Sequence, residues 1–222
     1  MKMEGKRKAQ KIRFSKDSLT TYTDVKGKSS LMFFSYGCNL HCYGCHVYND
    51  LNKEVPDNSI GTEEVLKEIG QAEGLAEAVI FSGGEFLIYS AEEIEDFLIE
   101  VKKIFSGLII VNTNGTYPAK MKQISYLVDG FYMDIKLPFW GLRAYNYLET
   151  NLFKRIYGVD YSDDLVARMS ESMLILAHRG KEYDRTRTVD YPILPQVELE
   201  DIIVTTENIG IPHDVNDYVE SL

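Results

Sequence analysis

The chain has 222 residues, 45% of them hydrophobic and 26% charged, with a formal net charge of -10, which suits one sizeable core and is short for two full domains. An acidic balance of this size opposes non-specific binding to nucleic acid or to an anionic membrane surface, and no apolar run approaches the ~18 residues of a spanning helix. The expectation is a cytoplasmic chain with neither nucleic acid nor membrane as partner: a basic N-terminal extension over residues 1–17 (Lys6, Arg7, Lys8, Lys11, Arg13) that leads into no apolar signal region, then a single domain over 18–222.

In chain order, the apolar run Ser30-Leu31-Met32-Phe33-Phe34-Ser35 predicts a buried strand that feeds Gly37-Cys38-Asn39-Leu40-His41-Cys42-Tyr43-Gly44-Cys45. Thr62 to Ala72 predicts a helix with Val65, Leu66 and Ile69 on one face. Ala78 to Phe81 is the next strand, ended by Ser82-Gly83-Gly84-Glu85. Ala91 to Phe105 is the clearest helix, with Ile94, Phe97, Leu98, Val101 and Ile104 at spacings of three and four. A third strand, Leu108 to Val111, runs into Asn112-Thr113-Asn114-Gly115. A helix from Pro118 to Leu127 follows, with proline in its first turn, and then a fourth strand, Gly130 to Ile135. Asp163 to His178 repeats the helical pattern through Leu165, Met169, Met173 and Leu176, and Thr186 to Tyr191 predicts a further strand. The last thirty residues show weak periodicity and are left unplaced.

Alternating strands and helices imply βα units on a mainly parallel sheet. About five or six strands make a partial (β/α) barrel the expected fold rather than a closed one. Ligands gather at the carboxyl ends of such strands, and the unusual residues recur there: the cysteines, Gly83-Gly84-Glu85, Asn112-Thr113, then Asp134 and Lys136, which share a face because they are two apart.

The chain has three cysteines, all in that one loop. A four-iron cluster held only by protein takes four thiolates, so a C-x3-C-x2-C loop with no spare cysteine leaves one iron open, and an open metal position is where catalysis occurs. A structural zinc completed by His41 or His46 is the alternative. Zinc sites usually come as two separated pairs, however, and a reducing compartment disfavours a disulfide.

Cys38, Cys42 and Cys45 on the loop after the first strand, with Gly83-Gly84-Glu85 after the second, resemble the radical S-adenosylmethionine superfamily over about residues 18 to 195. Ser18-Leu19-Thr20-Thr21-Tyr22, Asn112-Thr113-Asn114-Gly115, Met133-Asp134-Ile135-Lys136, Tyr157-Gly158-Val159 and Arg187-Thr188-Val189 narrow this to activating enzymes of glycyl-radical enzymes, with those of anaerobic ribonucleotide reductase most similar. Gly44 before the last cysteine suits those reductase activators, whereas Phe86 and Asn112 depart from a usual proline and aspartate.

The resemblance implies a [4Fe-4S] cluster on the three cysteines and S-adenosylmethionine on the open iron, cleaved reductively to a 5'-deoxyadenosyl radical. It places Gly83, Gly84 and Glu85 at the methionine moiety, Glu85 accepting from its ammonium group; Tyr43 would pack on the cluster or merely fill the loop. Asn112 and Thr113 would hold the ribose or aminoacyl end, and Asp134, Lys136 and Arg187 would point at the cofactor, with ion pairing as the simpler reading of the last three. The implied partners are a glycyl-radical enzyme, whose glycine loop aromatics around Phe139-Trp140 and Tyr145-Tyr147 could dock, and a flavodoxin- or ferredoxin-like electron donor. A small-molecule enzyme resembling 7-carboxy-7-deazaguanine synthase is the enzymatic rival, and a structural zinc module is the non-enzymatic one.

Overall fold

A computed structural model describes residues 11–51, 54–140 and 147–219; Lys6 to Lys8 and Tyr145 lie outside them. The elements in order are β1 (Leu19–Thr21), β2 (Ser30–Ser35), α1 (Tyr48–Leu51), α2 (Thr62–Ala72), β3 (Ala78–Gly83), α3 (Ala91–Ile104), β4 (Leu108–Thr113), α4 (Pro118–Ile124), β5 (Gly130–Asp134), α5 (Tyr147–Tyr157), α6 (Asp163–Arg179), β6 (Arg185–Asp190), α7 (Gln196–Asn208) and β7 (His213–Asp217). The strands form one sheet in sequence order. β1 runs antiparallel to β2 and every later neighbour is parallel, and the sheet curls into a half-barrel.

Period-2 alternation sorts the strand residues between two cores. Val79, Phe81, Ile109, Val111, Phe131 and Met133 face the helices and join the main core with Ile94, Leu98, Met121 and Met169. Met32, Ala78, Ile80, Ile110 and Tyr132 form a small second cluster with Val25 on the other face. Strands covered on both sides read as unbroken apolar runs, which is why β3 and β4 were legible. The helices that close each unit carry their own end signals. Ser90 caps α3 by accepting from the Glu93 amide at 3.2 Å, and α6 starts on Ser162 and stops on Gly180 at φ +52, a conformation that glycine adopts without strain.

Three findings extend or correct the sequence reading. The N-terminal extension does not run to residue 17 as a tail: Phe14 is fully buried among Phe33, Phe81, Phe86 and Phe97, and its backbone exchanges two hydrogen bonds with Ile60. Ile12 and Phe14 alternate with Lys11, Arg13 and Ser15, so the charges masked a short extended segment. Among the described residues the sheet has seven strands, the expected ones plus β1 and β7, which are short and mostly exposed and so carry no apolar signal. The last thirty residues hold α7 and β7; α7 buries Leu199, Ile202 and Thr206 while Val197 and Val204 stay exposed, so its apolar face is blurred, and β7 buries almost nothing.

Candidate active site at the carboxyl edge of the sheet

The cysteine loop leaves β2 through Gly37, whose φ is +87, and is pinned from both sides. The Glu85 amide donates to the Gly37 carbonyl at 2.7 Å, and the Gly37 amide donates to the Leu51 carbonyl at 2.8 Å. A Cβ on Gly84 would sit 2.0 Å from the Gly37 oxygen, and one on Gly83 would sit 2.4 Å from the Ser35 amide nitrogen. The glycine pair therefore lets the β3 turn press backbone to backbone against the start of the cysteine loop. Farther along, the amides of His41 and Tyr43 donate to the carbonyls of Tyr157 and Ile156 at the end of α5. Gly158 is glycine because a Cβ there would lie 2.0 Å from the His41 carbonyl oxygen.

A cavity of about 300 Å³ opens beside this loop. Its walls carry Cys38, Cys42, Cys45, Gly83, Gly84, Asn112, Thr113, Asp134, Lys136 and Arg187, and add Ser82, Asn114, Tyr191 and Asn216. The structure thus brings together residues from Cys38 to Asn216 in the sequence. Asn112 donates to the Ser82 hydroxyl at 2.9 Å, while its Oδ1 is buried with no partner. A buried acceptor left alone costs roughly 1–3 kcal/mol, so this atom suits a ligand that brings a donor. On the opposite wall Asp134 holds Lys136 at 3.5 Å and Arg187 at 3.2 Å, and Lys136 also donates to the Tyr191 hydroxyl at 3.1 Å. Burial works against the Asp134 carboxylate, but the two cations outweigh it and hold its carboxyl below the usual range. The same pairing, against burial, holds Lys136 charged.

Two expected residues fall elsewhere. Glu85 does not line the cavity; it is 1% exposed, and its carboxylate accepts from the Leu87 amide, the Thr113 hydroxyl and the Asn114 amide at 3.1, 2.9 and 2.7 Å. It fastens the β3 turn to the β4 turn, and burial pushes its carboxyl up to about 7 despite those donors. Tyr43 is also absent from the cavity wall, because its ring packs edge-on to Tyr191 and stacks on Tyr218. Trp140 donates to Asp201 on α7 at 2.9 Å and Phe139 is buried, which is packing of this chain on itself.

Sequence reasoning missed Asn114, Tyr191 and Asn216. Asn114 reaches Cys38 Sγ at 3.8 Å and Asn39 Oδ1 at 2.9 Å; it stood in a turn motif that needed no ligand to explain it. Asn216 comes from β7, which carried no signal.

Burial, with Glu85 adding to it, pushes the Cys38 thiol up to about 12, and burial pushes Cys42 up to about 11 against the pull of Lys136. A bound cation reverses such shifts by ionising the thiols it coordinates. Among the described residues no three His, Cys, Asp or Glu side chains converge as one metal ion requires. A cluster instead takes each thiolate on a different iron, and the loop bearing three thiols beside a polar cavity fits that group.

A half-barrel that gathers thiols, an orphaned amide oxygen and a charged wall at the carboxyl ends of its strands is the scaffold of a cofactor-dependent enzyme. Residues 32–139, from β2 through β5, match the Radical SAM superfamily. The superfamily's cofactors are a [4Fe-4S] cluster and S-adenosylmethionine. A relative from Methanocaldococcus jannaschii named as a glycyl-radical enzyme activating enzyme is 23% identical over 191 residues, covering 85% of this chain and 72% of the relative. Among solved structures, anSMEcpe with bound AdoMet matches with a TM-score of 0.61 at 16% identity over 84% of this chain and 50% of its own. Coproporphyrinogen III oxidase from Escherichia coli matches with a TM-score of 0.50 at 12% identity over 82% and 42%. The chain spans half or less of those two solved relatives, and the likeness to them is one of fold. Among the described residues no helix is long and apolar enough to cross a membrane.

Proposed function

We propose that this chain is an activase that installs a radical on a glycine of a partner glycyl-radical enzyme, with anaerobic ribonucleotide reductase the partner that the sequence resemblance favours. The observation that carries the reading is the single cavity shared by Cys38, Cys42 and Cys45 with Asn112, Asp134, Lys136 and Arg187. The relative named as an activating enzyme supports the finer assignment.

Cys38, Cys42 and Cys45 would hold three irons of the cluster and leave the fourth to the amino and carboxylate groups of S-adenosylmethionine. When bound, the pair supplies one-electron cleavage of the sulfonium and a nucleoside radical able to take hydrogen from carbon. The chain's own residues then do three things. Asn112 Oδ1 accepts from the ligand's polar end, with Thr113 beside it. Lys136 and Arg187 offer cationic donors to its carboxylate, held in place by Asp134. The curled sheet walls the site from water. A glycine is a fitting target because its Cα carries no side chain to keep it from the mouth. Cys45 is exposed, so a flavodoxin- or ferredoxin-like donor can approach the loop at that side. A cytoplasmic site of action accords with this chemistry.

The test is anaerobic reconstitution with iron and sulfide, reduction, and incubation with S-adenosylmethionine and the reductase. A glycyl radical in the electron paramagnetic resonance spectrum, formed together with 5'-deoxyadenosine, is the expected result. Formation of 5'-deoxyadenosine without that radical would overturn the partner assignment and favour a small-molecule substrate.

A further inference from the structure

Gly44, immediately before the third cysteine, has φ +61, and a Cβ there would lie 2.6 Å from a ring carbon of Tyr218 and 3.3 Å from one of Tyr191. Three rings close around this stretch of backbone. Tyr43 stacks on Tyr218 with centroids 6.0 Å apart and planes at 26°, and meets Tyr191 edge-on at 5.8 Å. Tyr191 and Tyr218 meet each other at 5.8 Å. Two of the rings come from the far end of the chain. Tyr191 follows β6 and is held by Lys136 through its hydroxyl. Tyr218 follows β7, whose Val215, Asn216 and Asp217 are exposed.

The first part of the cysteine loop is tied to α5 by the amides of His41 and Tyr43, whereas among the described residues the Cys45 amide bonds within the loop, to the Cys42 carbonyl at 3.3 Å. A local turn does not fix a thiol relative to the rest of a fold; contact with a distant element does. We infer that Tyr218 is a positioning residue for the cluster: its ring, wedged between Tyr43, Tyr191 and the bare backbone of Gly44, straps the carboxyl-terminal segment over the cysteine loop and sets Cys45 relative to Cys38 and Cys42. The inference rests on the cluster reading above and assigns a role to a residue beyond the segment that matches the superfamily. It also gives Gly44 a physical reason, since any side chain there would drive the Tyr218 ring out.

The experiment compares wild type with Tyr218→Ala, Tyr218→Phe, Gly44→Ala and the Gly44→Ala/Tyr218→Ala pair after anaerobic reconstitution. It reads iron and sulfide content, the electron paramagnetic resonance spectrum of the reduced cluster, its midpoint potential, and the rate at which its visible absorbance is lost in air. Far-ultraviolet circular dichroism checks the fold of each variant. Tyr218→Ala is expected to stay folded, to show a shifted spectrum and potential, and to lose its cluster about tenfold faster, the scale on which residues behind metal ligands act. Tyr218→Phe keeps the ring and is expected to match wild type. Gly44→Ala is expected to lose its cluster at least as fast as Tyr218→Ala, since its Cβ meets the ring and its backbone is held at φ +61, and the pair to be no worse than Gly44→Ala alone, because both lesions remove one contact. A Tyr218→Ala protein with wild-type spectrum, potential and air stability, or an additive pair, overturns the strap and leaves the activase reading standing. A wild-type chain that takes up no cluster overturns both.

Discussion

The two sides of the cavity are built from different chemistry. On the side of β2, β3 and β4 the wall consists of thiols, glycines and small amides, and its shape comes from backbone lying on backbone at Gly37, Gly83 and Gly84. On the side of β5, β6 and β7 it consists of charge: Asp134 between Lys136 and Arg187, with Arg185 paired to Asp214 one layer below. On the first side an added Cβ at Gly83 or Gly84 would collide with backbone, and on the second the two cations share one carboxylate. On the proposed reading the thiol side would take the cluster and the charged side the zwitterionic amino-acid end of a nucleoside.

Substitution on each side should separate these roles. The largest effect is expected from Cys42→Ala, which removes a ligand outright: iron and sulfide content should fall and 5'-deoxyadenosine formation should drop below detection by chromatography. Scission at the wild-type rate would remove the thiol side from the chemistry altogether.

On the charged side, Arg187→Met should leave the cluster's spectrum in place and weaken S-adenosylmethionine binding. A charge-assisted hydrogen bond contributes about 1.5–3 kcal/mol, so the dissociation constant should rise by roughly 10- to 150-fold, measured by equilibrium dialysis. An unchanged constant would reduce Arg187 to the ion pair that it visibly forms with Asp134.

The smallest effect concerns Glu85, the clasp between the two β-turns. Its carboxyl is raised to about 7 in the fold, so the folded chain keeps a proton there that the unfolded chain gives up at ordinary carboxylate values. Its contribution to stability is complete below the unfolded value and is lost as pH rises through about 7, with a slope of at most ~1.4 kcal/mol per pH unit. Urea denaturation of the metal-free protein between pH 4.5 and 7.5 should show this slope, and Glu85→Gln should remove it. A slope that persists in the glutamine variant would belong to other groups.

Legibility follows the same division. β2, β3 and β4 are apolar on both faces, so their sequences announce strands, and the cysteine spacing is local. Asp134 and Lys136, two apart on one face, can be paired from sequence, whereas Arg187 can be named but not joined to Asp134, because nothing local says that β6 lies beside β5. Glu85 follows two glycines at a strand end, which in sequence points it at a ligand; its capture by Thr113 and Asn114 depends on the β4 turn, 28 and 29 residues on. Tyr218 and Asn216 were invisible, since β7 is an exposed edge strand with no alternation to read.

The amino-acid sequence by itself determined the alternating α/β order, the three-thiol loop and therefore the class of cofactor, because these rest on periodicity and spacing within a few residues. The curl of the sheet alone decided which side chains share the mouth, that Glu85 fastens turns together, and that the chain's last described residues pack on its cysteine loop. Those outcomes are contacts between segments far apart in the chain, and close packing, rather than any local preference, selects them.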